Sequence, residues 1–171
     1  MARLAGELCA GVRVHPIATL RYVREVLLPA VEAGAGSRGR STADIDIIGA
    51  PFLAVGRDEA AIAAAKQAIK GHIAFYGSTP TYQAVLEYHG WGEVGRELTV
   101  LSKERRWDEM PSRITDEMLD EWAIVAGSDD LAKSIAERCG GLFSTVLLDL
   151  PPALRADNDW VAATVRALQD A

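Results

Sequence analysis

Between Gly71 and Glu93 the chain reads GHIAFYGSTPTYQAVLEYHGWGE, a stretch that holds three of its four tyrosines, Tyr76, Tyr82 and Tyr88, two of its three histidines, and Trp91. Such rings offer broad apolar area with a polar tip, and imidazoles exchange protons near neutral pH. Ser78 and Thr79 precede Pro80 with no acid in the following turn, so their hydroxyls and the nearby backbone donors suit an anion. The same residues also read as a plain cap with proline at the first helical position. His89 closes a short helical piece just ahead of Gly90, where the helix C-terminus favours a cation, and His72 lies inside a helical pattern with no assigned role. Elsewhere, Asp129 and Asp130 complement a helix start and would repel phosphate there. Asp116, Glu117, Asp120 and Glu121 have helical spacing and read as a solvated face. Cys9 and Cys139 have no second Cys or His at ligand spacing, which speaks against a metal site or a disulfide framework and for two reduced, buried thiols.

These groups must be positioned by a chain of 171 residues, 49% hydrophobic and 25% charged, which is ordinary for one globular domain with its own core. A net charge of -6, with the densest basic run, Lys103-Glu104-Arg105-Arg106, interrupted by acid, leaves no footprint for nucleic acid. No apolar run approaches the roughly 20 residues that span a bilayer, and no signal sequence opens the chain, so a cytoplasmic protein without a membrane partner is expected.

Apolar runs alternate with helical patterns. Gly11 to His15 reads as a strand, and Ala18 to Gly36 as a helix with Leu20, Val23, Leu27 and Val31 on one face. Asp44 to Val55 reads as a strand broken at Gly49 to Pro51, because proline cannot donate to a central ladder. Asp58 opens a helix to Phe75. Short helical pieces follow over 80–89, 93–105 and 115–122, with no strand among them. Ser128 is positioned to cap a helix that ends at Gly140-Gly141, and LFSTVLLDLP, residues 142–151, reads as a strand buried on both faces. Asp157 or Asn158 caps a last helix through Leu168. Three main strands separated by helices imply parallel pairing and an α/β class. MARLAGEL has helix-favouring composition from its first residue, with no strand ahead of it.

RLAGELCAGVRVHP, YVREVLLPAVEAGAGSRGR, AFYGSTPTYQAVLEYHGW and ITDEMLDEWAIVAGSDDLAKSIAERCGG together resemble the C-terminal half of the luciferase-like monooxygenase superfamily, in its branch of oxidoreductases that use the deazaflavin coenzyme F420. The resemblance implies a partial (β/α)8 barrel: the last strands and their helices, with residues 77–122 as a helical insertion within one domain of residues 1–171. It also implies a cofactor, F420 or alternatively FMN, at the C-terminal ends of the strands, hydride transfer to or from a small organic substrate, and an insertion acting as a lid that excludes water. On this resemblance His15, Tyr76, Ser78, Thr79, Tyr82 and His89 are the candidate cofactor-binding or pocket-lining residues. His15 reads equally as a structural histidine ahead of Pro16, and the aromatic residues as packing of the insertion onto the barrel.

The resemblance further implies that a glycine-containing phosphate loop and the early strands lie ahead of Arg3 in relatives, which often continue with Ala-Asp-Gly where this chain has Cys9-Ala10-Gly11. A shortened frame is therefore expected, inactive alone and binding F420 or FMN weakly. Its open strand edges should pair in a homodimer or with a separate N-terminal half. A non-catalytic remnant or interaction module is the competing reading.

Overall fold

The computed structural model describes residues 1–170. Its first sheet is parallel, with order β1-β2-β5: β1 (Gly11–Arg13) pairs with β2 (Asp46–Gly49), Val12 opposite Ile47, and β2 pairs with β5 (Thr145–Val146), Ile48 opposite Thr145. Strand β2 carries Ile47 onto a buried cluster with Val14, Val23, Val31 and Ala35, so one face of the sheet is covered by the helix that follows β1. That helix begins at Thr19, whose hydroxyl accepts from the Tyr22 amide at 3.0 Å. It runs through α2 (Leu20–Tyr22), a π-helical turn (Val23–Leu27) and α3 (Leu28–Gly36).

Helix α1 (Ala2–Leu8) crosses α3 backbone against backbone. A Cβ at Gly6 would stand 2.0 Å from the Val31 carbonyl oxygen, and one at Gly34 would stand 1.9 Å from that of Arg3. Gly49, at the end of β2, leaves space for the Phe143 ring, which a Cβ would meet at 2.4 Å. Such close approach is open only to glycine.

The segment expected as one kinked strand over 44–55 is two strands in two sheets. Pro51 has no N–H to continue the ladder, and beyond it β3 (Phe52–Gly56) leaves β2's partners and pairs in parallel with β4 (Ala123–Gly127) over five residue pairs. The β4 run AIVAG was not read as a strand. A five-residue apolar run beside a helix start carries no period of its own, and its partner lies some seventy residues away. Ser128 does not cap the helix after it. It opens a 3-10 turn, its hydroxyl reaches Asp129 at 3.3 Å, and α8 (Leu131–Cys139) has no side-chain cap. The eight- to ten-residue last strand shrinks to β5, extended by one further bond from the Leu147 amide to the Gly49 carbonyl at 2.8 Å, before Pro151 and Pro152 turn the chain into α9 (Pro152–Arg155). Asp157 caps α10 (Asn158–Gln169), accepting from the Trp160 amide at 3.0 Å.

Between β3 and β4 the chain is helical: α4 (Glu59–Gly77), started by Asp58 accepting from Ala61 at 2.8 Å, then α5 (Gln83–Tyr88), α6 (Gly92–Lys103) and α7 (Asp116–Trp122). Ile69, Ile73, Leu86, Leu98, Leu119 and Trp122 gather them into one core with Ala54 and Ala123. The opposite face of the β3–β4 pair, with Leu53, Val55, Ile124 and Ala126, packs against α8. The two thiols differ, contrary to the expectation that both are buried. Cys139 is buried at the end of α8, and burial pushes its thiol up to about 11. Cys9 is exposed where α1 ends, and its carbonyl takes the Arg40 guanidinium at 2.7 Å. No helix among the described residues is long and apolar enough to cross a membrane.

Candidate functional site

The three parallel strands of the first sheet all end at one groove. Arg13 ends β1, Ala50 and Pro51 follow β2, Leu147 to Pro151 follow β5, and all of them line a cleft of about 940 Å³. In parallel α/β folds this side carries the chemistry, because loops of free conformation leave the sheet there. The opposite wall is α4. Its inward stripe of Ile69 and Ile73 builds the core, and the stripe facing the groove, Ala61, Ala64, Ala68 and His72, holds no Asp, Glu, Lys or Arg and runs about 16 Å along the helix axis. Four small or flat side chains keep this wall low. Phe52, at the start of β3, turns its ring toward His72, 6.3 Å between centroids. Charge stands at the rim: Arg57 pairs with Asp157, Asp58 is engaged in capping α4, and Arg13 and Asp149 are exposed.

The residues singled out in the sequence gather beside this groove, and none of the six borders it. Four of them, His15, Tyr76, Tyr82 and His89, meet on the loop from β1 to α2. His15 lies two residues beyond the end of β1, its Nδ1 accepting from the Ile17 amide at 3.2 Å. Its ring stacks on Tyr82 at 4.9 Å and meets the edge of Tyr76 at 4.7 Å, and burial lowers its pKa. Two residues on, the Ile17 carbonyl accepts from Trp122 Nε1 at 2.6 Å, a bond that leaves no polar atom of that buried indole unpaired.

Thr19 then receives His89. The His89 Nε2 lies 2.8 Å from the Thr19 hydroxyl and its Nδ1 lies 2.7 Å from Arg21 Nη2. A guanidinium only donates, so Nδ1 must be the acceptor, and the proton of the neutral ring sits on Nε2 and is given to Thr19. The ring stacks on Trp91 at 4.6 Å, and Trp91 in turn leans on Trp122 at 5.2 Å. Burial and the Arg21 charge lower the His89 pKa, against Glu121 and Glu25, which raise it. The helix C-terminus that suggested a cation at this position is outweighed by both.

Ser78 and Thr79 stand at the junction of two helices. Ser78 ends α4, its hydroxyl donating to the Phe75 carbonyl at 2.7 Å and its amide to Ala74 at 3.0 Å; the Thr79 amide donates to Tyr76 at 2.9 Å. Only a three-residue 3-10 turn, Pro80–Tyr82, starts after them with Pro80 at the first helical position, and the Ser78 hydroxyl and both amides that suggested an anion are already used. The acid-rich face of α7 is partly paired, Asp116 with Lys70 at 2.7 Å and Glu121 with Arg21 at 3.0 Å. No cluster of three or more His, Cys, Asp or Glu among the described residues could hold a metal ion. Reading the chain as sequence passed over the groove-lining Arg13, Phe52 and His72. Their signal was positional: two stand at strand ends, and His72 continues the alanine stripe of α4 at helical spacing.

A parallel sheet whose strand ends open onto one cleft, with helices on its outer face, is the architecture of a β/α barrel segment. The sequence pattern of the luciferase-like monooxygenase family matches residues 1–145. This chain belongs to that family. Uncharacterized proteins of Mycobacterium tuberculosis and Mycobacterium bovis are each 39% identical to it over 170 residues, 99% of this chain and 48% of the relative. The chain thus spans about half the length of the curated relatives it matches. Among solved structures, the coenzyme F420 dependent tetrahydromethanopterin reductase from Methanopyrus kandleri superposes with a TM-score of 0.68 at 25% identity, over 85% of this chain and 41% of that one.

Proposed function

We propose that this chain forms one wall of the active site of an oxidoreductase that moves a hydride between reduced deazaflavin F420 and a small organic substrate. The observation that carries the reading is the groove at the C-terminal ends of β1, β2 and β5 in a chain of this family. F420 is preferred over FMN on the likeness to the archaeal reductase. Its volume suits a small-molecule site, and the alanine stripe of α4 opposite Phe52 and Pro51 leaves a low apolar wall against which a planar ring system fits. The cofactor would supply the hydride chemistry itself. The chain's own residues would hold the ring face between the α4 stripe and Phe52, keep water from that face, and present the His72 imidazole at the groove edge. Residues 77–122 act in this reading as a lid, tied down beside the groove by His15, Tyr82 and His89.

In the same reading the protein is cytoplasmic, and the open edges of the sheet pair with a second copy or with a separate chain carrying the remainder of the family fold, which completes the site. The chain alone then binds the cofactor weakly. Titration with F420, followed by cofactor fluorescence and repeated with FMN, tests this. Saturation in the range of roughly 10 μM to 1 mM is expected for F420, and Ala68→Phe, which fills the groove, should abolish it. No fluorescence change up to millimolar F420, or a change that Ala68→Phe leaves intact, would overturn the reading.

A further inference from the structure

The His89 constellation does something that neither the groove nor the family likeness requires. Three of the contacts that fasten the helical segment to the β1–α2 loop are the rings of His15, Tyr76 and Tyr82, the Trp122 bond to the Ile17 carbonyl, and His89, and of these only the Trp122 bond involves no imidazole. The third is conditional. The α5–α6 turn is held at His89 by a bond that its Nδ1 accepts from Arg21 and a bond that its Nε2 donates to Thr19, the residue that caps α2. An imidazolium has no acceptor, so protonating His89 removes the Arg21 bond and brings two cations within 2.7 Å.

We propose that His89 is a proton-operated latch: neutral, it clasps the turn between α5 and α6 to helix α2, and protonated, it lets that turn lift from the β1–α2 loop. The charged and titratable groups around it divide by element. From α2 and the π-helical turn come Arg21, Tyr22 and Glu25, from α7 comes Glu121, and from α5 itself comes Tyr88, whose hydroxyl donates to Glu25. Glu121 already neutralises Arg21 at 3.0 Å from the opposite side, and Glu25 already takes the Tyr88 hydroxyl, so neither carboxylate is free to move onto an imidazolium without giving up a partner. The π-helical turn directly after α2, a local widening of the kind often found where a helix must adapt, lies under this contact. The turn that lifts joins α5 to α6 within residues 83–103, and α4 beside them forms the wall of the groove. Acid therefore loosens the groove's surroundings without touching its lining.

The test is hydrogen exchange by mass spectrometry on peptides covering 83–103, corrected for intrinsic rates, from about pH 8 to about pH 5. In the unmodified chain the opening constant of these peptides should rise by up to about tenfold per pH unit once the pH falls below that of an unconstrained histidine. His89→Gln keeps an amide oxygen to accept from Arg21 and an amide N–H to donate to Thr19, and cannot titrate, so it should stay protected across the range, whereas His15→Asn should keep the pH response. A parallel NMR titration of the His89 ring in the unmodified chain needs no variant to fold, and its midpoint should lie below the onset of exchange, at the pH where the rise levels off. A ring that is protonated at neutral pH, or a pH response that persists unchanged in His89→Gln, overturns the latch.

Discussion

The two sides of this molecule are held together by different physics. On one side α1 lies on α3 with glycine at each crossing point, so that backbone meets backbone and the contact is dispersion and buried aliphatic surface. On the other, the helical segment meets the β1–α2 loop through rings and directed bonds: His15 on Tyr82, Trp122 to the Ile17 carbonyl, His89 between Thr19 and Arg21. The first kind of contact responds chiefly to volume, with Arg40 on the Gly6 and Cys9 carbonyls and Arg38 near Glu7 only at its edge. The second tolerates small changes in volume and responds to protonation.

The heaviest blow to the second side is Trp122→Ala, which removes a side chain only 2% exposed at the point where the helical segment meets Ile17. Denaturant unfolding should show a loss of about 3–5 kcal/mol. A matching probe of the first side is Gly34→Ala. The added methyl would sit 1.9 Å from the Arg3 carbonyl oxygen, so α1 must move off α3, at a net cost of about 1–3 kcal/mol despite the better helix propensity of alanine. If Gly34→Ala proved neutral, the close crossing would not be what holds α1, and the contrast between the sides would fail.

Acid should separate the sides without any mutation. The folded-state pKa of His89 lies below its ordinary 6.5, so the unfolded chain takes up the proton first. The stability it contributes is complete above about pH 6.5 and declines as the pH falls toward the folded value, and His15 contributes in the same direction. The urea midpoint should fall over that interval, and His89→Gln should reduce the slope while Gly34→Ala leaves it unchanged. The smallest effect belongs to Asp116, an exposed carboxylate held low chiefly by its bond to Lys70. Asp116→Asn should shift the midpoint slightly at low ionic strength and not at all in roughly 1 M salt.

Much of the first side could be read from the residues. The three-strand parallel sheet, the helix after β1 and its apolar face at Val23 and Val31 follow from period and from strand-helix alternation, and the break at Gly49 to Pro51 follows from proline's missing donor. The second side was legible only as composition. That His89 and Tyr82 belong to the same loop contact as Thr19 and His15 depends on pairs about seventy residues apart, and nothing local encodes a pairing of that range. The same limit hid the groove: Arg13, Phe52 and His72 are ordinary residues one at a time and become a lining only when three strand ends and one helix face converge.

The sequence by itself determined the family, the parallel α/β class and the places where backbone chemistry forbids continuation, because propensity, period and proline geometry act within a few residues. Only the tertiary structure decided that Phe52 to Gly56 leaves β2's sheet to pair with Ala123 to Gly127. It alone also decided that Ser78 ends a helix rather than opening one, and that His89, half-buried, lies between Thr19 and Arg21. Each of these depends on which partner reaches a hydrogen-bonding group first, and the partner comes from a part of the chain that only folding brings near.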